Sequence, residues 1–179
     1  ALEKLLREND AQVESFIHCA GMTEFLPITK TKYHIGLQVM NVNYFSATEI
    51  ISTLLKRKVN YGTLKKIVFV TSIAASQGAP HQPHYCASKG ALEALRITLA
   101  RDLAPNVQVN AIAPGSYRTR MWKTPLTDIP SEEDWHPPTL LPPGCVGDVA
   151  NVIHFLLSDA ANYLTGVLLP VNGGELLYR

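Results

Sequence analysis

One run constrains this chain more than any other. KIVFVTS, residues 66–72, is a compact β-branched stretch with no polar alternation, the pattern of a strand buried on both faces of a parallel sheet. Parallel strands need crossovers, and the flanking sequence supplies them. PHYCASKGALEALRITLARDL, 83–103, reads as a long helix that must end by Pro105. NVQVNAIAP, 106–114, is the next strand and stops at Pro114 and Gly115.

The alternation extends in both directions. Leu2, Leu5 and Leu6 form a short helical stripe, and SFIHCAG, 15–21, is a strand ending at a glycine turn. From about Ile35 to Leu55, Val39, Val42, Ser46, Ile50 and Leu54 keep a helical period, and VNYGT breaks it. After a loop from Ser116 to Pro143, GDVANVIHFLLSDAA is a helix with Asp148 as N-cap and Val149, Val152, Ile153, Leu156 and Leu157 as its apolar face. TGVLLPVNGG is the last strand. Four helix–strand alternations predict an α/β fold: one domain with a doubly wound parallel sheet joined by right-handed crossovers. The 116–143 loop is too long for a mere connector, which marks it as a functional, substrate-covering segment. Ligands in such sheets bind at the carboxyl ends of the strands, where Gly21, Ser72 and Gly115 fall.

Composition narrows the function classes. The 179 residues carry 16 basic and 15 acidic side chains, with no basic block to favour nucleic acid or an anionic membrane. Cys19, Cys86 and Cys145 are odd in number and lack a CxxC pair, which reads as free thiols in a reducing, cytoplasmic setting. No apolar run approaches the ~18 residues of a membrane span, and ALEKLLREND is not a secretory signal.

TSIAASQGAPHQPHYCASKGAL, 71–92, concentrates the chemistry. Tyr85 and Lys89 are four apart and share a helix face at its N-terminus, with Ser72 at the end of the preceding strand. A free phenol has a pKa of about 10, and a neighbouring ammonium favours the phenolate. Such a phenol can give a proton to a carbonyl oxygen or take one from an alcohol, while Ser72 holds that oxygen. Hydride must then come from a cofactor, because no side chain donates it. The spacing alone is weak, since Tyr61 and Lys65 repeat it in a loop setting with no strand-end serine before them.

The chain resembles the short-chain dehydrogenase/reductase family from residue 13 to 174. HCAG, 18–21, stands where that family has Asn-Asn-Ala-Gly; MNVNYFSA offers Asn43 at its active-site asparagine; Ser72, Tyr85 and Lys89 fit its serine and YxxxK; VNAIAPGSYRT matches its Pro-Gly segment; and the C-terminal helix, strand and Gly-Gly turn are similar. Within the family, Gln82 and YCASKGALEAL are closest to 3-oxoacyl-acyl-carrier-protein reductases. The resemblance implies a Rossmann-like sheet, NAD or NADP as cofactor, and interconversion of a ketone and a secondary alcohol, the substrate being a small molecule or acyl-carrier-linked. It implies Ser72, Tyr85, Lys89 and Asn43 as catalytic, with Asn43 ordering a helix and a water. Ala20, Gly21, Tyr85, Lys89, Pro114, Gly115 and Thr119 would meet the cofactor, and Ser72, Ala74, Gln82, Met121 and Trp122 the substrate. Homodimers or homotetramers would form through the helices near 35–55 and 85–103.

Two departures accompany the resemblance. The glycine-rich phosphate loop is missing, so two βαβ steps, roughly 60 residues or more, would precede Ala1 in a longer protein. The residue that selects NAD or NADP belongs to that part. His18 and Cys19 replace the asparagines, leaving His18 to supply a hydrogen bond in their place. Two rival readings stay open: a nucleotide-sugar epimerase or dehydratase, which shares YxxxK, and a non-catalytic fragment unable to hold dinucleotide. His81, His84 and Cys86 come with no fourth ligand at a usual spacing, so no metal is expected there and they line the loop beside the site. Trp122 and Trp135 are either lid or packing residues.

Overall fold

The computed structural model describes residues 1–122 and 130–175. Helix α1 (Leu2–Glu8) leads into β1 (Ser15–His18). Helices α2 (Tyr33–Met40) and α3 (Ser46–Leu54) are joined by a π-helical turn at Asn41–Phe45, so the predicted 35–55 helix is one continuous run with a bulge. A short α4 (Arg57–Asn60) precedes β2 (Lys66–Val70), then come α5 (Ala74–Gln77) and the 20-residue α6 (Pro83–Asp102). Strand β3 (Gln108–Pro114), α7 (Val146–Leu157) and β4 (Leu168–Val171) complete the order. Every helix and strand expected from the sequence is present among the described residues.

The four strands lie in the order β1-β2-β3-β4, all parallel, with Ile67 opposite Phe16 and Val109. Strand side chains alternate between faces. Ile67, Phe69, Val109 and Ala111 therefore enter one core, together with Leu54 of α3 and Leu92 of α6. Val68 and Ile112 enter a second, with Leu156 of α7. Both faces of the sheet are covered, which is why KIVFV carries no polar alternation. Phe69, Ile67 and Val109 are fully buried, each worth about 1.5–3 kcal/mol of apolar transfer. The stripe expected on α6 is the buried one, with Lys89, Leu92 and Arg96 facing in.

One boundary differs from expectation. Helix α7 begins at Val146, so its N-cap is Cys145, and Asp148 is the third helical residue; its carboxylate accepts the Cys145 N–H at 2.7 Å. The carboxylate reaches back to the cap, as in a capping box. Tyr61 is an exposed loop residue in the left-handed conformation (φ 52°), as its setting predicts.

Candidate active site

Strands β2 and β3 end at one cavity of about 580 Å³. The order of elements brings this about: β2 delivers Ser72, the loop through Gly78 turns the chain back, and α6 starts beside it with Tyr85 and Lys89 one turn apart. Strand β3 ends on the opposite wall, at Pro114 and Gly115. Ser72, Tyr85, Lys89, Pro114, Gly115 and Thr119 all line the cavity, as do Ala74, Gln82 and Met121. Residues from two strand ends and a helix start, distant in sequence, thus share one space, which is the expected outcome of a parallel sheet.

The Ser72 side chain faces the Tyr85 phenol and favours its ionised form. Burial pushes the phenol pKa up, the Ser72 bond opposes that, and Cys86 adds to the rise. The expected lowering by Lys89 is therefore absent here. Lys89 is 4% exposed, its Nζ lies 5.6 Å from the centroid of the Tyr85 ring, and it donates to the Val70 carbonyl at 2.9 Å. Burial pushes the Lys89 ammonium down to about 8, with the neighbouring Cys19 opposing. Burial therefore keeps the phenol protonated at neutral pH, the form that donates a proton.

Asn43 stands behind this pair and outside the cavity lining. It is fully buried in the π-helical turn, whose wider ring re-aims one residue of an otherwise regular helix. Its side chain accepts the Met22 N–H at 2.8 Å and donates to the Met22 carbonyl and the Ser88 hydroxyl, both at 2.9 Å. Ser88 in turn donates to the Tyr85 carbonyl at 2.8 Å. A chain of bonds thus ties the segment after β1 to the helix that carries Tyr85. The Asn43 carbonyl meets His18 Nε2 at 2.8 Å, the hydrogen bond expected of His18. Burial holds the imidazole pKa below its ordinary value; the Asn43 carbonyl opposes this and Lys89 reinforces it.

Gly21 does not line the cavity, but a Cβ there would sit 3.4 Å from Lys89 Nζ, so the position is packed against the lysine. Ala20 is exposed. Trp135 is buried and lies outside the lining, which makes it a packing residue. The Trp122 backbone belongs to a 3₁₀ turn, Arg120–Trp122, while its side chain lies outside the described residues, as does the part of the 116–143 loop at 123–129. Among the described residues no group of His, Cys, Asp and Glu is arranged to hold a metal ion, so His81, His84 and Cys86 do not converge on one.

Sequence reasoning missed two carboxylates. Glu175, from the turn after β4, lines the cavity and accepts the Ser116 N–H and hydroxyl, each at 2.7 Å. Glu24 is buried and accepts the backbone N–H of His84 at 2.6 Å and of Tyr85 at 3.3 Å. A signal for the second existed: Gln82-Pro83 offers no Ser, Thr, Asp or Asn to cap α6, so a remote acceptor was required.

The arrangement fits the reactive end of a dinucleotide. Gly115 is on the cavity wall, its bare Cα letting the turn after β4 pack against it, and the cavity contains a hydroxyl, a protonated phenol and a buried lysine around a space open to a carbonyl.

A family model described as enoyl-(acyl carrier protein) reductase matches residues 1–175. A 3-oxoacyl-[acyl-carrier-protein] reductase of Rickettsia bellii is 34% identical over 163 residues, covering 88% of this chain and 65% of its own length. The chain thus spans just under two thirds of that relative. Among solved structures, 4-hydroxyisoleucine dehydrogenase complexed with NADH superposes with a TM-score of 0.84 at 25% identity, covering 99% of this chain and 75% of that one. An angucycline C-6 ketoreductase with bound NADP gives 0.81 at 26%, covering 98% and 68%.

Proposed function

The chain belongs to the short-chain dehydrogenase/reductase family, and from that premise we propose that it interconverts a ketone and a secondary alcohol with NAD(H) or NADP(H). The single observation that carries this reading is the meeting of Ser72, Tyr85 and Lys89 at one cavity. When bound, the nicotinamide supplies or accepts the hydride. In the reducing direction the Ser72 hydroxyl holds the carbonyl oxygen, and the Tyr85 phenol gives that oxygen its proton. Lys89 stands next to the phenol, ready to stabilise the phenolate left behind, and Asn43 fixes the helix through Ser88. Pro114, Gly115, Thr119, Lys89 and Tyr85 would hold the cofactor, with Gly21 and Ala20 at the margin; Ala74, Gln82 and Met121 would flank the substrate.

A 3-oxoacyl thioester, presented on an acyl carrier, is the substrate class favoured by the named relative and the cavity's apolar walls at Val70, Ile73 and Val149. Both a relative bearing NADH and one bearing NADP support a nicotinamide cofactor without selecting the phosphate. Self-association into dimers or tetramers is supported by apolar side chains left exposed on the two helices, Leu37, Phe45 and Ile97. No helix among the described residues is long and apolar enough to cross a membrane.

The test is turnover by the full-length protein with each reduced cofactor against a 3-oxoacyl thioester and a panel of small ketones. Loss of reduced-nicotinamide absorbance matched by secondary alcohol supports the reading. Tight cofactor binding without turnover of any ketone contradicts it.

A further inference from the structure

We propose that Glu24 is a positioning residue for Tyr85, acting as the remote N-terminal cap of the helix that carries the phenol. This rests on the reading of Tyr85 as the proton donor. The argument starts from the amides of the first turn of α6, which have no acceptor within the helix. Pro83, at the first position, has no N–H. His84 and Tyr85 donate to Glu24 Oε1, at 2.6 and 3.3 Å. Cys86 donates to the Gln82 carbonyl at 3.0 Å. Glu24 therefore takes the two amides that the local chain leaves unserved, and one of them belongs to Tyr85 itself. The helix has no side-chain cap of its own and no acidic residue in its first turn.

The carboxylate is anchored by a segment remote in sequence from α6. It comes from the segment after β1, 60 residues earlier, and the backbone braces it there: the Leu26 N–H donates to the His81 carbonyl at 2.8 Å. His81 is held at φ 64°, a left-handed conformation that a non-glycine residue adopts at a cost. The His84 ring completes the brace. Its Nδ1 is 3.2 Å from the same Oε1, and its other edge packs so closely on α2 that a Cβ at Gly36 would overlap it, 2.7 Å from Nε2. Glu24 Oε2 is buried with no partner among the described residues. A buried carboxylate with one bare oxygen is costly, and such a group persists where its geometry is used. Here the use is to fix the first turn of α6, and with it the height at which the phenol enters the cavity. Neighbouring Thr23 and Phe25 line that cavity, so the same segment also touches the substrate side.

The test compares Glu24→Ala and Glu24→Gln in the full-length protein with Asn60→Ala as a stability control. Asn60 bonds both the N–H and the carbonyl of Val13, at 2.6 and 2.8 Å, at the amino ends of the strands and away from the cavity. Glu24→Ala should lower kcat about tenfold or more with KM within about twofold. Glu24→Gln keeps an oxygen acceptor and should restore kcat to within about threefold of the parent. Asn60→Ala should leave both unchanged at a temperature where all variants are folded. Backbone hydrogen exchange at residues 84 and 85 supplies a readout that needs no turnover: Glu24→Ala should speed it about tenfold or more, and Asn60→Ala should not. Unchanged exchange at 84 and 85 in Glu24→Ala would overturn the proposal whatever the activity. So would a kcat no lower than that of Asn60→Ala, or a Glu24→Gln variant as impaired as Glu24→Ala. Failure of the parent to turn over any ketone would instead count against the proposed function.

Discussion

Lys89 Nζ lies 5.6 Å from the centroid of the Tyr85 ring while donating to the Val70 carbonyl at 2.9 Å. The lysine is almost wholly enclosed, and burial lowers its pKa from 10.5 to about 8. Unfolded, the same side chain titrates at its ordinary value. Between those two values the unfolded chain binds more protons, so stability rises with pH across that window. Below about 8 the folded protein carries a buried ammonium, at a cost on the order of 3 kcal/mol. Lys89→Met should therefore raise the thermal stability of the cofactor-free protein at pH 7, and the gap should close as pH approaches 10.5. Melting curves across that range check it. A variant less stable than the parent at pH 7 would mean that the Val70 bond outweighs desolvation.

His18 has the same sense of dependence in a lower pH window. Burial lowers its imidazole pKa below 6.5, although the Asn43 carbonyl at 2.8 Å resists. The folded state then holds fewer protons than the unfolded state as pH falls past the ordinary value, so stability present above 6.5 is lost below it. His18→Asn keeps a donor for the Asn43 carbonyl and removes the titration. Denaturant unfolding at pH 7 and pH 5 should show a smaller loss in the variant than in the parent. Equal losses would place the acid sensitivity elsewhere.

Asn43 is fully buried and makes three side-chain hydrogen bonds, to both backbone groups of Met22 and to Ser88. Asn43→Ala removes all three bonds and strips the Met22 N–H and carbonyl of their Asn43 partner, while Ser88 keeps its bond to the Tyr85 carbonyl. The expected destabilisation is on the order of 3 kcal/mol, because orphaned buried groups cost their full desolvation. Unfolding free energies of parent and variant decide it, and a change below about 0.5 kcal/mol would show that the network is not maintained in solution.

These cases also show what could be read before any coordinates. The strands and helices were legible because KIVFVTS and its neighbours place apolar residues with the periods that a two-faced core demands. Ser72 and Gly115 were legible because strand ends are where such sheets expose function, Tyr85 and Lys89 because their spacing puts them on one helix face, and Thr119 only through the family resemblance. The direction of the Tyr85 shift was not. It depends on how much water burial removes from phenol and lysine together, a property of packing that spacing does not carry. Glu24 escaped for a related reason: its partners are 60 residues away, and only the missing local cap on α6 hinted that something had to reach it.

Gly115 tests the cavity wall. A Cβ there would lie 2.7 Å from the Cβ and 3.0 Å from the Cα of Asn172, and it would overlap the Glu175 carboxylate. Gly115→Ala should displace the turn after β4 into the cavity and weaken binding of the reduced cofactor about tenfold or more. Titration of the cofactor against the full-length variant measures this. Affinity within about twofold of the parent would show that the turn yields without reaching the site.

The central claim is that the Tyr85 phenol exchanges the proton with the substrate oxygen. Tyr85→Phe removes that hydroxyl and little else, so the ring still fills its place between Ser72 and Lys89. In the full-length protein, kcat should fall by about a thousandfold or more, with the dissociation constant of the reduced cofactor within about threefold of the parent. A Tyr85→Phe enzyme that turns over within a few fold of the parent would contradict the account.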